Sequence, residues 1–379
     1  LVIAEDYEIF INEHSLVDFP LQTQEAEAEA LFHQLKQHLF ELAETPPFII
    51  KLLKLSPQKH LLFIRLSALI ADELTLSQIL NEISTLYGAD LHAQKYDQEI
   101  MQYADVAEWQ HELLEQEGYS PGKEYWQNCD TSYSGISPVN FLSTNKALKI
   151  PEAHLLSIKL ISISLTSDLV ERIKALANSL KVSISDILLS CWQVFLWRIA
   201  AQEAPTVGIV SSGRTHEELK STLGALSKYL PLSCSLDHNL SFQEVLKHVS
   251  ESVNDAYKWQ DYFAWEASIS DGCQFHFEFK EWPRGVCQKG VSFSLYKRYV
   301  HREQFKINLV CLQRDNALEI ELYYDASFYQ AENIKNLSDW FLNLLENAVH
   351  DSKRTIGQLK LLSKHQQQKI LVDFNQTQT

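Results

Sequence analysis

After Arg65, the run Phe63-Ile-Arg-Leu-Ser-Ala-Leu-Ile-Ala-Asp-Glu73 carries three further polar side chains: the hydroxyl of Ser67 and the carboxylates of Asp72 and Glu73. A hydroxyl beside a base is a nucleophile, and two carboxylates sharing a proton form an acid–base pair. Neither arrangement is complete here. A neutral serine without a partner base is a poor proton acceptor. Consecutive residues usually point apart, so Asp72 and Glu73 are not expected to share a proton. The histidines available to supply a base include His14, His33, His38, His60, His92, His111, His154 and His276. Of these, His276 alternates with Phe275, Phe277 and Phe279 and reads as a polar strand-face residue. Arg214, just after Gly213, has the fork that grips a carboxylate or phosphate. A structural arginine is the preferred reading.

The elements that must position these groups follow from hydrophobic spacing. Residues 48–55 and 60–66 are strand-like around a turn at Ser56-Pro57. Leu76, Ile79, Leu80, Ile83 and Leu86 then fall at helical spacing, with Gly88 as a stop. Residues 67–73 are therefore a loop between a buried strand and a helix, a common place to display catalytic groups. Before it, residues 23–44 read as an amphipathic helix with Leu31, Leu35, Leu39 and Leu42 on one side. Residues 89–150 are polar and less periodic, and a lobe boundary is expected near Pro151. After it come a strand over 156–165 and a helix whose Asp168 and Glu171 look like a capping box. A helix over 185–201, apolar nearly all round, should be buried. A strand over 204–212, an alternating strand over 274–279, an antiparallel pair over 305–312 and 317–324, and a last amphipathic helix through Ile334, Leu337, Phe341, Leu344 and Leu345 complete the pattern. Such irregular alternation favours mixed α/β layers.

At 379 residues, two lobes are expected. The formal charge of −16 excludes a general nucleic-acid binder. The basic clusters Lys297, Arg298, Arg302 and Lys353, Arg354 read as solvated faces. No apolar run reaches the roughly 18 residues needed to span a bilayer. The first ten residues, broken by Glu5, Asp6 and Glu8, are no signal peptide. Cys129, Cys191, Cys234, Cys273, Cys287 and Cys311 include no Cys-x-x-Cys pair. Reduced thiols in the cytoplasm, with no metal, are the simplest expectation.

Several segments, in order, resemble motifs of the condensation domains of nonribosomal peptide synthetases. Gln102-Tyr-Ala-Asp-Val-Ala-Glu-Trp-Gln110 and Tyr125-Trp126 are two. Val207-Gly-Ile-Val-Ser-Ser-Gly-Arg214 resembles the family's strand ending in Gly-Arg. Leu223-Gly-Ala-Leu-Ser-Lys-Tyr-Leu-Pro-Leu232 stands where the family has Gly-Phe-Phe-Val-Asn-Thr-Leu-Pro-Leu, and Trp259-Gln260-Asp261 where it has His-Gln-Asp. Tyr323-Tyr-Asp-Ala-Ser-Phe328 and the run from Leu361-Leu-Ser-Lys to Phe374-Asn-Gln-Thr377 resemble its late segments. In that frame the 67–73 loop is the active-site stretch, in which the family carries two histidines, three spacers, an aspartate and a glycine. Here Ser67 and Ala68 stand at the histidine positions, Asp72 is kept, and Glu73 replaces the glycine.

The resemblance implies two chloramphenicol-acetyltransferase-like lobes in a V-shaped pseudo-dimer with a central tunnel. Residues 1–150 would be the first lobe, whose start lacks the family's opening motif, 151–360 the second, and 361–379 a linker toward an adenylation domain. It implies peptidyl or acyl carrier proteins as partners, with their phosphopantetheine arms as tethered substrates and no directly bound cofactor, and a tailoring enzyme as a further partner. Arg214, Tyr229, Trp259, Gln260, Asp261 and His276 are expected as tunnel or structural residues, Trp259 filling space that a smaller histidine leaves open. With Ala68 at the catalytic position, the resemblance implies a non-catalytic docking domain. An acyltransferase working by positioning alone is the alternative. Heterocyclising relatives carry Asp-x-x-x-x-Asp, and Ser67 in place of the first aspartate makes cyclisation doubtful.

Overall fold

The computed structural model describes residues 10–38, 40–41, 46–88, 100–115, 118, 120–129, 158–200, 206–264, 273–300, 305–363, 366 and 368. The chain forms two compact units, and neither is one continuous stretch. The first comprises Leu1–Glu108, Arg214–Ser227 and Pro283–His301; the second comprises Trp109–Gly213, Lys228–Trp282 and Arg302–Thr379. The boundary expected near residue 150 falls outside the described residues. So do the 132–138 loop, most of the tail beyond Ser363, and His92 and His154.

In the first unit, β1 (Asn12–Ser15), β2 (Phe48–Ser56) and β3 (Lys59–Leu66) form one sheet in that order. β1 pairs parallel with β2, and β2 pairs antiparallel with β3. Helix α1 (Leu21–Gln37) packs Ala28 and Leu31 against Leu16, Leu53, Leu61 and Phe63. The buried amide of Gln24 locks it in place by donating to the carbonyls of Leu16 (2.9 Å), Phe19 (3.1 Å) and Leu55 (3.1 Å). The helix expected over 23–44 stops earlier, because His38 turns extended (φ −63°, ψ 131°). Helix α2 (Glu73–Gly88) follows the 67–72 loop as its periodicity predicts.

The polar stretch after residue 89 holds two helices that its weak periodicity hid, α3 (Tyr103–Glu115) and α4 (Pro121–Asn128). Next come β4 (Ile158–Ser164), α5 (Ser167–Leu180), α6 (Ile184–Ala200), β5 (Thr206–Ser211), β6 (Lys228–Ser233), α7 (Phe242–Lys258) and β7 (Phe275–Glu281). A hairpin of β8 (Val286–Gln288) and β9 (Val291–Phe293) belongs to the first unit. The chain ends in β10 (Ile307–Arg314), β11 (Ala317–Asp325) and α8 (Ala331–His350). The cap of α5 is Thr166, whose hydroxyl accepts from the Leu169 amide at 3.4 Å. Asp168 lies inside the first turn and pairs with Arg172, so the expected cap at Asp168 is two residues late.

The second unit is built on a mixed six-stranded sheet of order β4-β11-β10-β7-β5-β6. Phe275, Phe277, Ile307, Leu309, Cys311, Ile320 and Leu322 lie in one buried cluster with Trp192 and Phe195 of α6, Val245 and Val249 of α7, and Phe341 and Leu345 of α8. Alternation then puts His276, Glu278 and Asn308 on the opposite face, where they are nonetheless buried. As its composition predicts, α6 is enclosed, with Ile187, Leu188, Trp192, Val194, Phe195 and Leu196 buried. No single described helix is long and apolar enough to cross a membrane.

Helix α4 docks closely against the Gln260–Tyr262 turn. A Cβ built on Gly122 would lie 2.2 Å from the Tyr262 ring. Gly122→Ala should therefore lower stability by about 1–3 kcal/mol through overpacking. The check is a fall in the urea midpoint at unchanged slope.

Candidate functional site

The loop after β3 is fixed by its own backbone. The Ser67 amide donates to the Pro47 carbonyl (2.8 Å) and the Ile70 amide to the Ser67 carbonyl (3.1 Å). The Ser67 hydroxyl oxygen accepts from the Leu69 amide at 3.3 Å, so it serves the turn. Ala68, next to it, is exposed and offers a methyl group.

Asp72 closes the loop and caps α2. Its Oδ1 accepts from the Thr75 amide at 2.9 Å, and its Oδ2 from the amides of Leu226 (3.1 Å) and Ser227 (2.9 Å) and the Ser227 hydroxyl (2.8 Å). Arg214 grips both oxygens, Nη1 to Oδ2 at 2.6 Å and Nη2 to Oδ1 at 3.2 Å. The rest of the fork donates to the carbonyls of Thr222 (3.1 Å) and Gly224 (3.0 Å) and to the Thr75 hydroxyl (3.1 Å). That hydroxyl lies 2.9 Å from Asp72 Oδ1 and 2.8 Å from the Gly224 carbonyl, and accepts the Gly224 amide at 3.0 Å. Gly224 suits the spot: its φ is +155°, and a Cβ would meet the Tyr103 ring at 2.3 Å. The Arg214 and Asp72 side chains are only 4% and 9% exposed. Burial works against the Asp72 charge. The Arg214 guanidinium, the Thr75 amide and the Ser227 hydroxyl outweigh it and hold the carboxyl below its ordinary range.

Glu73 turns elsewhere and pairs with Arg298. The two neighbouring carboxylates thus have separate cations, as their pointing apart suggests. Arg298 was expected on a solvated face, yet its side chain is only 16% exposed. Lys297 beside it pairs with Glu29, and Arg302 is outside the described residues.

The remaining site candidates lie in the second unit and form two groups. Trp126 donates its indole N–H to the Trp259 carbonyl at 2.7 Å and packs on Phe263, with ring centroids 4.6 Å apart. Gln260 is buried and hydrogen-bonded to Ser211 and to the Tyr257 carbonyl. Asp261 is buried beside Lys228, whose ammonium donates to the Phe263 carbonyl at 3.1 Å. Burial pushes the Lys228 pKa down, and Asp261 opposes that shift. In the second group His276 stacks on Tyr229, centroids 4.0 Å apart, over Gly208. Tyr229 donates to Glu278 at 2.9 Å and the Asn308 side-chain amide at 2.5 Å, and Lys280 forms an ion pair with it. Thr75, Gly224, Ser227, Glu278, Asn308 and Arg298 were missed as site residues. The Asp72-x-x-Thr75 cap spacing could have revealed the first. Among the described residues no group of three His, Cys, Asp or Glu side chains is placed to hold a metal.

Asp72 on the strand-to-helix loop and Arg214 after Gly213, each singled out by a separate sequence motif, thus meet in one enclosed ion pair. The Condensation domain family matches residues 1–266 and 273–371.

The chain belongs to the condensation-domain family.

Bacitracin synthase 3 of Bacillus licheniformis is 23% identical over 376 residues, which cover 96% of this chain and 6% of that protein. The chain spans 6–10% of the length of the first curated relatives it matches. Among solved structures, the first condensation domain of the calcium-dependent antibiotic synthetase, in complex with a substrate analogue, is 15% identical. Its TM-score is 0.74, with 94% of this chain and 79% of that one covered. The X-domain bound to OxyB from teicoplanin biosynthesis is 19% identical with a TM-score of 0.72, covering 94% and 79%. This chloramphenicol-acetyltransferase-like condensation fold, of mixed α/β content, is the one described above.

Replacing Asp72 with Asn should leave Arg214 buried against a neutral partner and cost about 3–5 kcal/mol. The pH dependence gives a second signature. A carboxyl with a lowered folded pKa adds stability fully above its unfolded value near 4, and loses it as pH falls through the folded value. Urea midpoints measured from neutral pH to about pH 3 should show a steeper acid loss in the parent protein than in Asp72→Asn.

Proposed function

We propose that this condensation-family domain has lost, or has in very small measure, amide-forming activity, and that it serves a synthetase as a docking scaffold. One observation carries the reading: a methyl group, Ala68, stands where the family places its second histidine, on a loop whose structural aspartate is fully kept. A base must lie within hydrogen-bond reach of the proton it takes and must have a lone pair free for it. Each polar side chain of the loop is committed elsewhere. Ser67 accepts from a backbone amide, Asp72 is engaged on both oxygens and held ionised by Arg214, and Glu73 is paired with Arg298. Asp72, its pKa lowered by Arg214, is also a weak base.

The partners proposed are peptidyl or acyl carrier proteins, whose phosphopantetheine arms would be tethered substrates in an active relative, and a downstream adenylation domain. A tailoring enzyme is a third. The X-domain, a structure of the same fold, was captured in complex with OxyB, which supports a docking role for this architecture.

The test is amide formation between donor and acceptor groups loaded on the two flanking carrier proteins. The parent protein should give product at or barely above the uncatalysed rate. Ala68→His, alone or with Ser67→His, should raise the rate by about 10–1,000-fold if the surrounding geometry is intact. Robust product from the parent protein would overturn the proposal and establish the alternative, catalysis by holding the two reactants in line.

A further inference from the structure

Residues 283–300 join the first unit without contributing a single buried side chain to it. Three consecutive residues hold one end. Lys297 pairs with Glu29 of α1 and lies over the Phe32 ring at 4.7 Å. Arg298 pairs with Glu73 in the first turn of α2. The Tyr299 ring lies under the ammonium of Lys36 of α1 at 4.1 Å. At the other end the hairpin meets the last turn of α2. Phe293 contacts Tyr87 edge-on with ring centroids 5.7 Å apart, and Gln288 lies against Gly88. The segment therefore spans α2 from its first residue to its last.

The attachment differs in kind from the Asp72–Arg214 lock. That pair is almost wholly enclosed, whereas Lys297 and Glu29 are 41% and 43% exposed, and Arg298 and Glu73 lie between these extremes. Exposed pairs weaken as salt screens them, and enclosed ones do so far less. Segments with few buried apolar contacts open at free energies well below that of global unfolding.

We propose that residues 283–300 are a strap that opens independently of the rest of the first unit. Its closure depends on ionic strength through Lys297–Glu29 and Arg298–Glu73, and when closed it restrains the N-terminal turn of α2 that adjoins Ser67 and Ala68. Glu73, standing where the family has glycine, supplies the anchor for Arg298. This inference does not depend on whether the domain is catalytically active.

Trypsin reads the strap directly, because Lys297 and Arg298 are themselves cleavage sites. The Glu29→Gln, Glu73→Gln double variant removes both anchors and keeps every trypsin site. At low salt its cleavage after Lys297 or Arg298, followed by mass spectrometry of the full chain, should be about 5–30-fold faster than in the parent protein. Raising salt from about 50 mM to about 1 M should speed cleavage in the parent and leave the variant nearly unchanged. The salt series on the parent protein gives the same reading without any substitution. Equal cleavage of parent and variant at low salt overturns the proposal. So does acceleration in step at strap sites and at Arg314 on β10, which would mean that the segment opens only with the whole molecule.

Discussion

The first unit depends on one enclosed ion pair. Removing a carboxylate and a guanidinium from water costs several kcal/mol for each ion. Their attraction repays this only when the geometry is good and the remaining donors and lone pairs are satisfied. Asp72 and Arg214 meet that condition: both carboxylate oxygens and the arginine's Nε, Nη1 and Nη2 are engaged. The partners come from stretches far apart in the chain, with Arg214 142 residues from Asp72 and Ser227 155 residues away. The lock thereby brings Arg214–Ser227 back to the loop that ends β3 and to the start of α2. Because Asp72 also caps the helix, the local choice of where α2 begins and the long-range closure rest on the same two oxygens.

That coupling explains what was legible in the sequence. The hairpin over residues 48–66 and helix α2 could be read because their signals are local: alternation, a turn, a 3.6-residue period. The loop between them was legible for the same reason. Asp72 and Arg214 each stood out by type and motif, but their partnership is tertiary, and spacing along one chain carries no trace of it. Arg298 was misjudged on the same ground. In a run with Lys297 it looks like a solvated charge, and its pairing with Glu73 makes it otherwise. Other misses had local signals. Ser241 and Glu244 form a complete capping box at the start of α7, and Asp72-x-x-Thr75 is a cap pattern. Helix α1 erred in the other direction, since Leu39 and Leu42 continue the period while the backbone leaves the helix at His38. Helix α4 has eight residues, too few to be stable alone, and owes its place to Trp126 meeting Trp259 and Gly122 meeting Tyr262.

The sheet of the second unit shows a related limit. Period-2 alternation correctly separated Phe275, Phe277 and Phe279 from His276 and Glu278. His276 was expected as a tunnel or structural residue, but the burial of Glu278 and Asn308 beside it was not foreseen. Glu278 tolerates enclosure because Tyr229 and Asn308 donate to it and Lys280 balances its charge. Alternation tells which way a side chain points; what covers it depends on neighbours that the pattern does not contain.

The loop over 67–73 makes a broader physical point about how a strut differs from a catalytic group. A base needs an unengaged lone pair and a pKa near the working pH. A strut needs the reverse: every lone pair used, and a charge state that stays put. Asp72 meets the second description through the hydrogen bonds that disqualify it from the first. The lock is complete with no polar side chain at position 68, four residues before Asp72, since the bonds that fix Asp72, Arg214, Thr75 and Ser227 come from other residues. With alanine there, the strut, the helix cap and the returning segment are all in place. In this loop the atoms that hold the fold and the atoms that would do the chemistry are different sets, so the second can be lost without a cost in the first.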